Sequence, residues 1–312
     1  MHIDNCYHYR IYNFGLSSTL PLPELWSAEN EPVQLHVTHL EKIPVFEVIQ
    51  KEGWISEDFL YVQLGPQGIL LHIKDVCRVW YKSSDTLVIE PNAGIDLEEV
   101  KVYLLGSGLA LYLMNQGQFA LHAGTVTDGT HSLSFMGDSG MGKSTTCTYF
   151  LDQGYRLLAD DVSLVQCSTQ NVPGVWPAHP SLKLWPDALN QLHRDPVSLP
   201  QVFQNENKYR LSARHNFSAQ GNIPLKAIFL LAPDEAVEQA VLTRLQGKDC
   251  FDAIANNIYR TEAVSWLGQT ANHFRFCTKL AQQVPVFRLQ RPTESFDLEA
   301  IFQRVVQTMA SL

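Results

Sequence analysis

Gly137-Asp138-Ser139-Gly140-Met141-Gly142-Lys143-Ser144 fits the pattern G-x-x-x-x-G-K-[ST] at every fixed position. Ordinary residue frequencies would produce those four fixed positions by chance in roughly one chain in a hundred of this length, so a mere glycine-rich turn is the lesser reading. Phosphate oxygens need to be held without burying unpaired charge. Successive backbone N–H groups that run into a helix N-terminus do so through oriented dipoles. Gly137, Gly140 and Gly142 let the backbone wrap closely and visit positive φ. Lys143 would reach the β- and γ-phosphates, the Ser144 hydroxyl would bind Mg²⁺, and Thr145 would extend the cradle.

The flanking sequence supplies the frame. His131–Met136 reads as a short strand, Ser144–Gln153 as a helix stopped at Gly154, and Tyr155–Ala159 as the next strand. A strand–helix–strand crossover makes the two strands parallel, so their C-terminal ends open on one side of the sheet. Asp160 and Asp161 therefore emerge on the side of the glycine loop. In a regular strand neighbouring residues face opposite ways, so the two carboxylates should divide their work. One would face metal and γ-phosphate, while the other would meet an incoming hydroxyl or brace the site. Paired carboxylates also raise one another's proton affinity, which suits a general base.

At these residues the chain resembles the HPr kinase family, bacterial P-loop kinases that phosphorylate a serine on a small phosphocarrier protein. The matching segments are Leu121-His122-Ala123-Gly124, Gly137–Ser144 and Gly154–Asp161, in the order and spacing of that family. More weakly, the likeness takes in Tyr9–Leu16, Leu20–Leu25, Val175–Pro186 and Lys208–Arg210, as in the HPr kinase-related proteins. The resemblance implies an α/β fold with a P-loop kinase core of the HPr kinase/phosphoenolpyruvate carboxykinase type. It implies that Gly137 to Ser144 bind the phosphates of ATP, with Lys143 also taking part in catalysis. Asp160 and Asp161 would share base and metal roles, and Asp161 would join Ser144 at Mg²⁺. His122 would lie near the transferred phosphoryl group, and Lys208 and Arg210 would reach the phosphates from a later loop. The family's later glycine- and proline-rich signature is not found, which puts the carrier substrate and the reverse reaction in doubt. Some relatives belong to peptide-modification clusters, including those making lasso peptides, where a peptide serine is phosphorylated. Relatives with this core often assemble through it, so a homo-oligomer is one expectation.

Composition narrows the remaining classes. The 312 residues suffice for one large or two modest domains with a real core. A net charge of −9, without basic runs interleaved with aromatics, argues against nucleic acid as a partner. The six cysteines (Cys6, Cys77, Cys147, Cys167, Cys250, Cys277) are scattered, which favours reduced thiols and a cytoplasmic location. The amino terminus carries His2, Asp4 and Arg10 and does not read as a signal peptide. Val102–Met114 is too short for a bilayer span and reads as a buried helix, so no membrane partner is expected. Residues 1–95 alternate in short strand-like runs, which suggests a smaller β-rich domain closed by Pro91–Gly94. Residues 96–312 would be the kinase domain. Within it, residues 98–116, 247–258, 261–281 and 294–311 read as helices, and Pro224–Ala232 and Val284–Leu289 as strands.

Bland readings stand beside the sharp ones. His122 sits in an apolar strand, where a satisfied core histidine is the common case. Lys208 and Arg210 follow the polar stretch 204–207 and would otherwise be solvated charges. His36 and His39 are surface residues. His179 and Lys183 lie in a Trp- and Pro-rich loop that could close over an acceptor. The expected activity is ATP- and Mg²⁺-dependent transfer of a γ-phosphoryl group to a hydroxyl of a peptide, small protein or small molecule. The rivals are a nucleotide-binding regulatory module without transferase activity, and a carboxykinase acting on small organic acids.

Overall fold

The computed structural model describes residues 6–40, 42–56, 58–203, 207–219 and 221–312. The expected amino-terminal features at residues 2 and 4, and most of the polar stretch 204–207, lie outside the described residues.

The fold is mixed α/β, with two large sheets and few helices. Period-two alternation in the first third builds nine strands: β1 (Tyr7–Ile11), β2 (Phe14–Ser18), β3 (Trp26–Ser27), β4 (Val33–His39), β5 (Lys51–Ser56), β6 (Leu60–Gly65), β7 (Gly68–Ile73), β8 (Cys77–Ser83) and β9 (Thr86–Pro91). They form one sheet in the order β3-β1-β2-β4-β9-β8-β7-β6-β5. Burial in β4 alternates along the strand, with Leu35 and Val37 inward, as expected of a sheet with one wet face.

A helical stretch follows: α1 (Leu97–Tyr103), a π-helical turn (Leu104–Gly108) and α2 (Leu109–Asn115). Asp96 caps α1 by accepting from the Glu98 N–H, and Glu98 and Glu99 complement its positive end. The apolar run continues through the π turn, so nearly all of this stretch is buried. Tyr81 donates its hydroxyl to the carbonyl of Gly108 at 2.9 Å. Pro91–Gly94 thus marks a change of sheet, but the buried core runs across it. Leu35, Val79 and Leu87 of the first sheet join Leu109, Leu121, Leu158 and Ile254 in one continuous cluster.

The second sheet holds the site. Its strands are β10 (Ala120–Thr127), β11 (Ser132–Met136), β12 (Arg156–Ala159), β13 (Val162–Cys167), β14 (Pro173–Val175), β17 (Ile223–Pro233), β18 (Val241–Arg244) and β19 (Val286–Arg291). The hairpin β15 (Ser181–Leu184) and β16 (Tyr209–Ser212) stands apart as a two-stranded sheet. The large sheet runs β11-β10-β13-β14-β17-β19-β18, and β11 also pairs with β17, so five strands close into a ring. β11 and β12 point the same way, each antiparallel to β10, which lies between them. Both strands, the crossover helix α3 (Lys143–Asp152) and the apolar strand of His122 were legible in the sequence; the place of that strand, β10, between the other two was not.

β11 has few β-branched residues because its serines are buried and satisfied. Thr125 shares hydrogen bonds with Ser134 (2.8 Å) and Ser163 (2.7 Å), and Ser163 donates to the Ala123 carbonyl (2.8 Å). These hydroxyls tie three strands together where unpaired ones would cost about 1–3 kcal/mol each. On the other face Phe150 of α3 packs tilted against Phe135 and edge-on against Phe302, with centroids 5.0 and 4.9 Å away. Phe302 belongs to α8 (Leu298–Ala310). The remaining helices are α4 (Pro186–Gln191), α5 (Gly247–Ala255), α6 (Ala263–Trp266) and α7 (Thr270–Gln283). Residues 261–281 form two helices rather than one, broken where Gly268 takes a φ of 68°.

Candidate active site

The Gly137–Ser144 loop joins the C-terminal end of β11 to the N-terminal end of α3. Gly137, Gly140 and Gly142 adopt φ values of 141°, 85° and 98°. At Gly142 a Cβ would also fall 2.3 Å from the Phe296 ring, so only glycine fits there. The first N–H groups of α3 have no partner within the helix and open toward the loop. Lys143 folds back over it, with its Nζ donating to the carbonyls of Gly137 (2.7 Å) and Asp138 (2.9 Å) and to Nε2 of His122 (3.1 Å). Burial, the leading cause, pushes its pKa down.

Asp160 and Asp161 occupy a bend between β12 and β13, opposite Gly124 and Ala123 of β10. Asp161 has a φ of 64°, the left-handed region that non-glycine residues enter at a cost of about 1–2 kcal/mol. That kink undoes the alternation expected of a strand, and both aspartates meet Lys183. Asp160 accepts the Lys183 backbone N–H at 3.0 Å, and Asp161 pairs with Lys183 Nζ at 2.5 Å. The other oxygen of Asp160 accepts the Ser144 hydroxyl at 2.7 Å. The carboxylate in contact with Ser144 is therefore Asp160, whereas Asp161, expected there, is turned to Lys183.

The electrostatics of the pair diverge. Asp160 is buried and beside a second carboxylate, which pushes its pKa up to about 6. Asp161 is also desolvated, though less fully, and the charges of Lys183 and Lys208 outweigh that burial and hold it below the usual carboxylate range. Lys183 loses charge stability by burial and regains more from Asp161, so its pKa lies above the ordinary value. Burial and Lys143 push His122 down to about 4. His122 is thus a neutral ring at physiological pH. Because Lys143 donates to Nε2, the proton sits on Nδ1, which donates to the Asp161 carbonyl at 3.3 Å. The Tyr259 ring packs edge-on against it at 5.1 Å.

Two clefts meet at this constellation. One, of about 370 Å³, is lined by Ser139, Gly140, Lys143 to Thr145 and Asp161, and walled farther out by Trp185, Gln191 and Phe296. The other, of about 470 Å³, is lined by His122, Asp138, Tyr259 and Arg260. Ser139, Asp161, Lys183, Trp185 and Lys208 line both.

The structure therefore brings together loop, aspartates, His122, Lys183 and Lys208, whose Nζ lies 5.1 Å from the Trp185 ring centroid. Met141 packs against the apolar core, and Thr145 lines the first cleft. Arg210 is a correction. It was expected at the phosphates, but its Nη1 donates to Glu24 (2.7 Å) and Glu98 (3.3 Å), in a pocket that no residue of Gly137–Ser144 lines. The buried Glu24 carboxylate demands a cation, and Arg210 supplies it. His179 hydrogen-bonds Ser181 at 2.9 Å and is held neutral, down to about 4, by its burial. Tyr259 and Arg260 went unnoticed in the sequence because they fall between two helical runs, where no periodicity marks them.

Among the described residues no group of three or more His, Cys, Asp or Glu side chains forms a metal site. Mg²⁺ does not need one, since it is held through one or two carboxylates together with phosphate oxygens and water. The Ser144 hydroxyl and Asp160 carboxylate, in contact beside the loop, fit that oxygen donor set. Among the described residues no helix is long and apolar enough to cross a membrane, and all six cysteines are free.

No family model matches the chain, and no curated protein matches it. Among solved structures the chain is similar to the Hpr(Ser) kinase/phosphatase from Coxiella burnetii. The identity is 10%, the match covers 61% of this chain and 94% of that one, and the TM-score is 0.32. A likeness that distant decides nothing about the site, and the functional reading rests on the residues themselves.

Proposed function

We propose that this chain is a kinase of the HPr kinase-related P-loop type that transfers the γ-phosphoryl group of Mg-ATP to a hydroxyl. The observation that carries the reading is the convergence of Lys143, Ser144 and Asp161 on one cleft, with Asp160 hydrogen-bonded to Ser144. The Gly137–Ser144 amides and Lys143 Nζ would hold the β- and γ-phosphates, and the cleft wall of Trp185, Gln191 and Phe296 would face the base. Ser144 and Asp160 would hold Mg²⁺, which when bound neutralises charge on the β- and γ-oxygens.

Asp161 would receive the acceptor, since it lines both clefts and reaches them beside Lys183. The acceptor oxygen forms a bond to the γ-phosphorus, the bond from that phosphorus to the bridging β-oxygen breaks, and ADP leaves. The hydroxyl proton passes to the Asp161 carboxylate. A depressed pKa makes Asp161 a weak base, but a loose transition state asks it mainly to aim the hydroxyl and take the proton late. Lys183 and Lys143 would stabilise charge on the transferred group. The neutral His122 ring, fixed by its two hydrogen bonds, would keep Lys143 and Asp161 in register.

Incubation of the purified chain with γ-labelled ATP and Mg²⁺ tests this. Slow hydrolysis or transfer to an added hydroxyl is expected from the wild type, and Lys143→Ala should abolish it with the circular dichroism spectrum unchanged. Unaltered turnover in Lys143→Ala would refute the mechanism. Nucleotide bound without transfer to water or to any acceptor would favour the regulatory-module reading.

A further inference from the structure

The cleft of about 470 Å³ on the His122 side of Asp161 is of ligand size, and the kinase reading above places the nucleotide in the other cleft. Two backbone irregularities converge on it. The π-helical turn Leu104–Gly108 interrupts an otherwise regular helical stretch and turns the Ser107 hydroxyl inward, where it is buried. Arg260 adopts a φ of 58°, a conformation that costs a side-chain-bearing residue energy and that survives only where its surroundings enforce it. The two meet directly: Arg260 Nε donates to Ser107 Oγ at 3.0 Å. The guanidinium also lies 5.1 Å from the Tyr259 ring centroid, so it is held in orientation from two sides. π turns inside helices recur at functional sites for the same reason, that they re-aim a side chain.

Charge in the cleft points the same way. Lys183 is neutralised by Asp161, and Lys208 lies near Trp185. Asp138 and Glu262 line the cleft but are exposed, where water screens them. Arg260 is half-buried, and among the described residues no carboxylate lies within ion-pair distance of it. A guanidinium presents five donors in a fixed fork, and Ser107 takes only one of them. Phe59 and Tyr103, whose rings pack at 5.4 Å, form an apolar wall of the same cleft.

We propose that this cleft is the acceptor site and that Arg260 selects a hydroxyl compound carrying an anionic group, a carboxylate or a phosphate, a few bonds from the hydroxyl. The proposal rests on the kinase reading above, because it places the hydroxyl at Asp161. Ser107 is then a positioning residue for Arg260.

Matched acceptors that differ only in charge test it: N-acetylserine against N-acetylserinamide, and glycerol 3-phosphate against glycerol. Transfer from γ-labelled Mg-ATP should favour the anionic member of at least one pair by about tenfold or more in kcat/KM, the scale of one charged hydrogen bond. Which pair responds separates carboxylate from phosphate. Arg260→Asn, chosen because asparagine tolerates positive φ, should raise KM for that anionic acceptor by a similar factor and leave KM for ATP and the neutral member unchanged. Ser107→Ala, which removes only the tether, should act in the same direction at smaller size, and it serves if Arg260→Asn does not fold. Equal labelling of both members, labelling of neither while ATP is hydrolysed, or a preference that survives both substitutions would overturn the proposal. Absence of any ATP turnover by the wild type would instead remove the kinase reading beneath it.

Discussion

Replacing Asp160 by asparagine should make the protein more stable and inactive. The Asp160 carboxylate is buried and faces a second carboxylate, so folding disfavours its ionised form. Its pKa rises from 3.8 to about 6, and the two-unit difference at 1.36 kcal/mol per unit corresponds to about 3 kcal/mol. The sign follows from the raised value. Stability from this group is present below about pH 4, and it is lost as pH rises through about 6. Asparagine has no charge to desolvate and can keep both contacts, with its oxygen accepting the Lys183 N–H and its amide donating to the Ser144 hydroxyl oxygen. Urea denaturation in the presence of EDTA, at pH 4 and pH 7.5, measures the effect. Asp160→Asn should gain up to about 3 kcal/mol over the wild type at pH 7.5 and little at pH 4. Stability and activity would thus trade against each other at one residue. A variant less stable than the wild type at pH 7.5, or a difference that does not change with pH, would refute the reasoning.

Three further outcomes follow from the same geometry. Lys183→Met should leave Asp161 buried without its cation, cost about 3–5 kcal/mol in denaturant unfolding and reduce kcat by well over tenfold. Gly124→Ala should destabilise by about 1–3 kcal/mol, since its Cβ would fall 2.5 Å from the Cys147 sulfur; in a Cys147→Ala background the penalty should shrink, as a double-mutant cycle would show. His122, held down to about 4, should show no ring titration by NMR between pH 5 and 8, and its contribution to stability should fade only as pH drops from about 6.5 toward 4.

What the sequence could show was set by how local the cause is. The loop, helix α3 and its stop at Gly154 (φ 91°) are dictated by residues within a few positions, and all were readable. The same holds for α8, where Asp297 caps the helix by accepting from the Ala300 N–H. Asp161 escaped because nothing beside it announces a left-handed backbone; aspartate tolerates that region, and the pairing of β10 with β12 and β13 imposes it. Lys183 was visible only as a loop lysine, since its meeting with both aspartates depends on the β15–β16 hairpin folding under α3. Arg210 was misplaced for the complementary reason. Glu24, 186 positions away, is the group that claims it. Ring closure through β11 and β17 likewise joins Ser132 to Leu225 and Met136 to Leu230, beyond the reach of any periodicity.

The most direct measurement is a crystal structure of the protein with a non-hydrolysable ATP analogue and Mn²⁺, the metal located by its anomalous signal. The ion should lie between Ser144 Oγ and the Asp160 carboxylate, with the γ-phosphate on Lys143 and turned toward Asp161. A metal bound elsewhere, or triphosphate lying away from the Gly137–Ser144 amides, would contradict the account.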